Sequence, residues 1–130
     1  MTKSLLLLVV LVMAAAMIAP IHDAIREARA SGTVAVGDIT NSLAAVEPMH
    51  AAGLTGVVFH ELLGFKERDG ALIAATRAQR TAASAQGISV SLAPHAPYST
   101  SIELFKAIRT AVDAQGGITS VHLGESPEEV

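Results

Sequence analysis

Four short β-rich runs recur along this chain, each followed by a stretch with helical patterning. They are Thr33–Ile39 (TVAVGDI), Thr55–Leu63 (TGVVFHELL), Ile88–Pro94 (ISVSLAP) and Ile118–Leu123 (ITSVHL), with starts spaced by about 22 to 33 residues. A two-residue hairpin cannot span such gaps, whereas a helical crossover between parallel strands can. The intervening segments carry matching punctuation. Ile21, Ala24, Ile25 and Ala28 share one helical face, and Gly32 offers a left-handed stop. Asn41 or Ser42 caps the next helix, which closes at Gly53, with Pro48 either kinking it or marking a late first turn. An alanine-rich helix is expected from about Ala71 to Gln86, stopped by Gly87. Thr100 with Glu103 forms a capping box for a helix ending at Gly116 or Gly117. Ser126, Pro127 and Glu129 then open another.

These features predict an α/β fold with parallel strands, about four βα units of a (β/α)8 TIM barrel. A closed barrel takes roughly 250 residues and the chain has 130, so the barrel is partial. A small doubly wound sheet is the competing architecture. It calls for a glycine-rich phosphate turn after the first strand, and VGDITNS is neither GxGxxG nor a P-loop.

Composition narrows the function. A formal charge of −3 without any lysine or arginine cluster removes the footprint that nucleic acid binding requires. Without cysteine there is no disulfide framework, no thiolate metal site and no thiol nucleophile, which excludes deaminases with cysteine-ligated zinc. Leu5–Ala19 is an unbroken apolar run of 15 residues, short of the roughly 18–20 needed to span a bilayer. With Lys3 before it and Ala14-Ala15-Ala16 within it, the run reads either as a signal peptide or membrane anchor, or as a buried or divergent helix. Residues 1–20 are therefore set apart from a barrel domain over 21–130, and membrane contact, if any, falls to residues 5–19.

Parallel α/β folds place chemistry beyond the carboxyl ends of their strands. Those ends carry Asp38 and Asn41, His60 and Glu61, His95, Tyr98 and Ser99, and His122 and Glu125. His122 alternates with Ser120 and Ile118, so in a barrel strand the three point to one side. An imidazole facing the barrel axis is placed to hold a metal. Glu125, beyond the flexible Gly124, can swing a carboxylate over whatever His122 binds and carry a proton there. His95 sits between Pro94 and Pro97, which stiffen its loop. His60 and Glu61 read as supporting or surface groups, with the surface favoured. His22 and His50 are expected on helices as solvent-facing or structural groups, and Asp38 as the cap of the turn after it. Ser99, His95 and Asp38 supply the residue types of a serine hydrolase, but no GxSxG surrounds any serine.

At SLAPHAPYSTSIELF and ITSVHLGESPEEV, with SGTVAVGDITN upstream, the chain resembles the metal-dependent amidohydrolase superfamily, in its cytosine deaminase, chlorohydrolase and aminodeoxyfutalosine deaminase-like branch. The resemblance implies a (β/α)8 barrel with one divalent metal, zinc or iron, and hydrolysis of a C–N bond in a small-molecule substrate. By motif match, His122 resembles the fifth-strand metal ligand, Glu125 the proton-shuttling glutamate, and His95 the fourth-strand histidine that contacts substrate. The family's HxH pair would precede Ile21, and its sixth-strand histidine and eighth-strand aspartate would follow Val130. The metal site is thus expected to be incomplete in this chain, which reads as a fragment. Open sheet edges predict poor solubility or self-association. A non-catalytic half-barrel, a remnant or a membrane-tethered or secreted interaction module, stands as the alternative. The resemblance implies the cytoplasm, and a targeting role for the apolar run implies membrane or secretion.

Overall fold

The computed structural model describes residues 3–68 and 70–129, with side chains from residue 16 onward except 17 and 128. Helix α1 runs Lys3–Ala30, continuous through Pro20. Its end is set by Gly32 at φ 89°, where Gly32 N bonds Arg29 O and Thr33 N bonds Ala28 O. That pair of bonds is the Schellman arrangement, which needs a left-handed residue at the turn. The side chains of Leu5–Ala15 lie outside the described residues, and with them most of the proposed signal or anchor. Among the described residues no helix is long and apolar enough to cross a membrane.

Strands β1 (Ala35–Thr40), β2 (Thr55–Leu62) and β3 (Ser89–Pro94) form one parallel sheet in the order β1-β2-β3. Asp38 pairs with Val58 and Phe59 with Ser91, which fixes the register across the sheet. Between them lie α2 (Val46–Ala51), α3 (Ala71–Ala75) and α4 (Arg77–Ser84), and α5 (Ile102–Asp113) follows β3. Pro48 falls in the first turn of α2, where its missing N–H costs nothing.

Two apolar clusters join helices to strands. Val58 of β2 packs with Ile25 of α1, Val46 and Met49 of α2, and Ala83 of α4. Leu62 and Leu92 pack with Ile73 of α3 and with Leu104, Ile108 and Val112 of α5. Every strand residue in the buried clusters occupies an even position, so all the helices cover one face of the sheet. A doubly wound sheet would carry helices on both faces. The one-sided cover is that of a barrel wall, and the odd positions face what would be its interior.

Three expectations change in the structure. The long helix over 71–86 is two helices, because Thr76 Oγ1 bonds back to Leu72 O at 2.8 Å and also reaches Ile73 O. Such back-bonding by a hydroxyl competes with the helical ladder. The cap of α5 is Ser101, whose hydroxyl accepts from Leu104 N at 3.1 Å, one residue later than the Thr100–Glu103 box. The fourth strand, Ile118–Leu123, is not a strand, so the described residues hold three βα units and part of a fourth. It lies along β3, but side-chain hydroxyls take bonds a ladder would use. Ser91 Oγ donates to Ile118 O at 2.6 Å and Thr119 Oγ1 to Leu92 O at 2.7 Å.

Leu104 is wholly buried at the centre of the second cluster. Its replacement by alanine should cost about 2–5 kcal/mol of stability, read from urea unfolding. Asp38, on the helix-covered face, has Oδ2 buried without a hydrogen-bond partner, and burial raises its carboxyl above the ordinary 3.8. A raised folded value means stability is fully present below 3.8 and falls as pH climbs through the shifted value. Asp38→Asn should therefore flatten the stability profile between 3.8 and the raised value and raise the melting temperature at pH 7, with little change near pH 3.

Candidate metal and proton-transfer site

Three chain segments meet beyond the carboxyl ends of β2 and β3. His95 N bonds Leu62 O at 3.2 Å, extending the β2–β3 ladder one step past Pro94. Gly64 then bridges Thr100, with Gly64 N on Ser99 O and Ser101 N on Gly64 O. This bridge pins the His95–Ser101 loop against the exit from β2. On the other side, His122 N bonds His95 O at 2.9 Å and brings the last segment alongside.

Glu61, at an odd position of β2, points its carboxylate to the face away from the helices. Its side chain is 10% exposed, and Oε1 lies 3.2 Å from His122 Nε2. Asn41 Nδ2 donates to Glu61 Oε2 at 2.8 Å, while Oε1 is buried and has no hydrogen-bond partner. The His95 and His122 rings meet edge to face with centroids 5.3 Å apart. One ligand atom from each of Glu61, His95 and His122 falls within 4.8 Å of the other two, a spacing that suits a divalent ion between them. His95 Nδ1 lies 2.6 Å from Ser99 Oγ, which donates in turn to Ala96 O at 3.2 Å. With the hydroxyl proton directed at Ala96 O, Ser99 accepts from Nδ1–H and leaves Nε2 of His95 with its lone pair.

Glu125 is exposed and reaches this cluster through Tyr98. The phenol donates to Glu125 Oε2 at 2.7 Å, and its ring stands edge-on to His95 at 5.7 Å between centroids. Glu125 N is held by Glu129 Oε2 at 2.7 Å. The hydrogen bond to the Glu125 carboxylate is the main reason the Tyr98 hydroxyl ionises above its ordinary range.

His122 and His95 thus lie together, and Glu125 adjoins them through one phenol. Glu61, expected at the surface, is instead the carboxylate of the cluster. The signal for it was its odd position in β2, legible only once the helix-covered face is known. His60 is also buried, at 2% exposed, but on the helix side. Burial first, and the Arg80 guanidinium second, hold its imidazole below the ordinary histidine value. Asp38 lies on that side too, and the turn after β1 is bonded by Thr40 and Ser42, with Ser42 N on Thr40 Oγ1. No catalytic triad is built from Ser99, His95 and Asp38.

Tyr98 is the single tyrosine of the chain, which has no tryptophan, so absorbance near 295 nm reports its ionisation alone. Its titration midpoint should lie above 10.0 and fall toward it in Glu125→Gln. An unchanged midpoint in that variant would show that the two side chains are apart in solution.

No protein-family model matches the chain. Over 109 residues, 80% of this chain and 25% of the relative, it is 33% identical to the 5'-deoxyadenosine deaminase of Methanopyrus kandleri. Its fold superposes on Helicobacter pylori aminofutalosine deaminase in complex with methylthio-coformycin with a TM-score of 0.74 and 30% identity, over 83% of this chain and 27% of that one. For another crystal structure of the same enzyme the TM-score is 0.67, over 76% of this chain and 25% of that one. The chain spans about a quarter of the length of the relatives it matches. Over the stretch it shares with them, the chain is similar in sequence and fold to these deaminases of the amidohydrolase superfamily, and it matches part of their barrel.

Proposed function

We propose that this chain supplies part of the active site of a metal-dependent hydrolase that removes an amino group from a purine nucleoside. The observation that carries the reading is the meeting of His122, His95 and Glu61 on the interior face of the sheet, at the carboxyl ends of its strands. The 33% identity to a 5'-deoxyadenosine deaminase supports the substrate class, 6-amino purine nucleosides related to 5'-deoxyadenosine and aminofutalosine.

In this reading His122 holds the metal, and imidazole with carboxylate suits zinc or ferrous iron. A bound divalent ion supplies Lewis acidity, which makes a water molecule acidic near neutral pH. The chain's own residues do the rest. Glu125 accepts a proton from the attacking water at its carboxylate and returns it to the departing nitrogen, so that water adds to the ring carbon, the C–N bond breaks and ammonia leaves. Tyr98 orients that carboxylate by donating to Oε2. His95, stiffened between Pro94 and Pro97 and oriented by Ser99, presents its imidazole to the substrate.

A chimera tests this directly. Residues 21–130 replace the matched quarter of the 5'-deoxyadenosine deaminase, and ammonia release from 5'-deoxyadenosine is followed. The chimera should deaminate, and Glu125→Gln should lower kcat by about 10²–10⁴-fold. A folded chimera without activity, or one indifferent to both Glu125→Gln and His122→Ala, overturns the proposal.

A further inference from the structure

We infer that the cleft between α4 and α5 binds a small organic anion, a phosphate or carboxylate carried on an apolar body. The cleft lies on the helix-covered face of the sheet, away from His122, and the inference does not depend on the functional reading above.

Arg77, Arg80, Thr81 and Ser84 stand at i, i+3, i+4 and i+7 of α4, a spacing that brings them to one side of the helix. That side borders a cavity of about 400 Å³, a size that holds small molecules. Val90 and Leu92, even positions of β3, line it from the sheet, and Ile73, Ala111 and Gln115 complete the lining. Guanidinium, hydroxyl and amide groups therefore share the space with an apolar floor, and no carboxylate lines it.

The state of Arg80 points to a ligand independently of the cavity. Its side chain is half-buried, with Nη1 donating to Thr76 Oγ1 and Nη2 to Ile73 O at 2.9 Å. Both acceptors are neutral. Among the described residues the ion pairs are Asp23–Arg26, Arg109–Asp113 and Glu61–His122, so neither Arg77 nor Arg80 has a carboxylate partner. Burial first, and the Arg77 charge second, make the Arg80 guanidinium give up its proton below the ordinary range. A cation withdrawn from water beside a like charge is costly, and an anion in the cavity supplies the missing countercharge. The break between α3 and α4 serves the same end. With the helical ladder interrupted at Thr76, Ile73 O accepts from Arg80 and Thr76 Oγ1 holds the other arm of the fork. An anchored guanidinium keeps further N–H groups for a phosphate or carboxylate, which it can grip at two oxygens.

Isothermal titration of the whole chain at pH 7.5 and low salt, with far-UV circular dichroism of every variant, tests the site. The probes are phenyl phosphate, benzoate, inorganic phosphate and phenol. The wild type should bind one phenyl phosphate or benzoate per chain, and whichever is tighter tells a phosphate ligand from a carboxylate one. Inorganic phosphate and phenol should each bind at least about tenfold more weakly, since one leaves the apolar floor unused and the other the guanidinium groups. Arg77→Gln and Arg80→Gln should each weaken binding at least about tenfold, the scale of one lost charged hydrogen bond. Arg77 is exposed and bonds nothing that holds the fold, so its variant decides the matter even if the Arg80 variant folds poorly. Arg26→Gln, on α1, and His122→Ala should leave binding unchanged. The inference is overturned if neither organic anion binds, if inorganic phosphate or phenol binds as tightly, if the folded Arg77 variant binds like the wild type, or if either control variant loses binding.

Discussion

The parallel register of three strands decides everything else in this structure. Because Val58, Leu62 and Leu92 are drawn into the helix layer, the alternation of the pleat sends Val57, Phe59 and Glu61, with Ser89, Ser91 and Ala93, to the other side. A slip of one residue would exchange the two sets and bury Glu61 among Ile73, Ile108 and Val112. Close contacts reinforce the register. A Cβ on Gly56 would fall 1.8 Å from Val36 O, and one on Gly37 would stand 3.3 Å from the Phe59 ring. Only glycine lets β1 and β2 approach as they do at the first of these positions.

That alternation separates two kinds of buried polar residue that look alike in sequence. His60 and Glu61 are neighbours, and both are largely withdrawn from solvent. His60 faces helices and an arginine, an environment that favours the neutral ring. Glu61 faces an amide donor and two imidazoles. Apolar packing beneath the helices and polar groups toward the interior is the division a barrel wall shows.

Much of this was legible in the residues, and the losses have physical causes. The first three strands stand within a residue or two of where their β-rich runs place them, because alternating apolar residues between glycines leave little freedom. The end of α1 followed from Gly32, and of the two glycines offered for the end of α5, Gly116 is the one whose positive φ completes the terminal turn. Thr76 and Ser101 escaped because hydroxyls have several acceptors or donors within reach, and tertiary packing chooses among them. Ile118–Leu123 has the composition of a strand, but strand formation needs a partner's main-chain groups, and Ser91 and Thr119 divert those on the β3 side. His95 could be placed beyond β3 from the sequence, whereas His122 was read within a strand that the structure does not form. Glu61 could not, since an HE pair at a strand end does not reveal which residue points inward until the helix-covered face is known.

The last segment shows how position can be fixed without regular structure. His122 is held by one main-chain bond to His95 O, by the hydroxyl bonds of Ser91 and Thr119 behind it, and by the nearness of its imidazole to Glu61. Individually such bonds contribute about 0.5–1.5 kcal/mol, so the segment should open far more readily than the three-stranded ladder beside it. The exposed Ile118, Val121 and Leu123 add little apolar burial to hold it. A side chain that must meet groups on two other elements is thus carried by the least secured part of the sheet. Any further contact made to His122 in its present place would therefore stabilise the whole edge, because an interaction available only to the docked segment draws the segment toward the sheet.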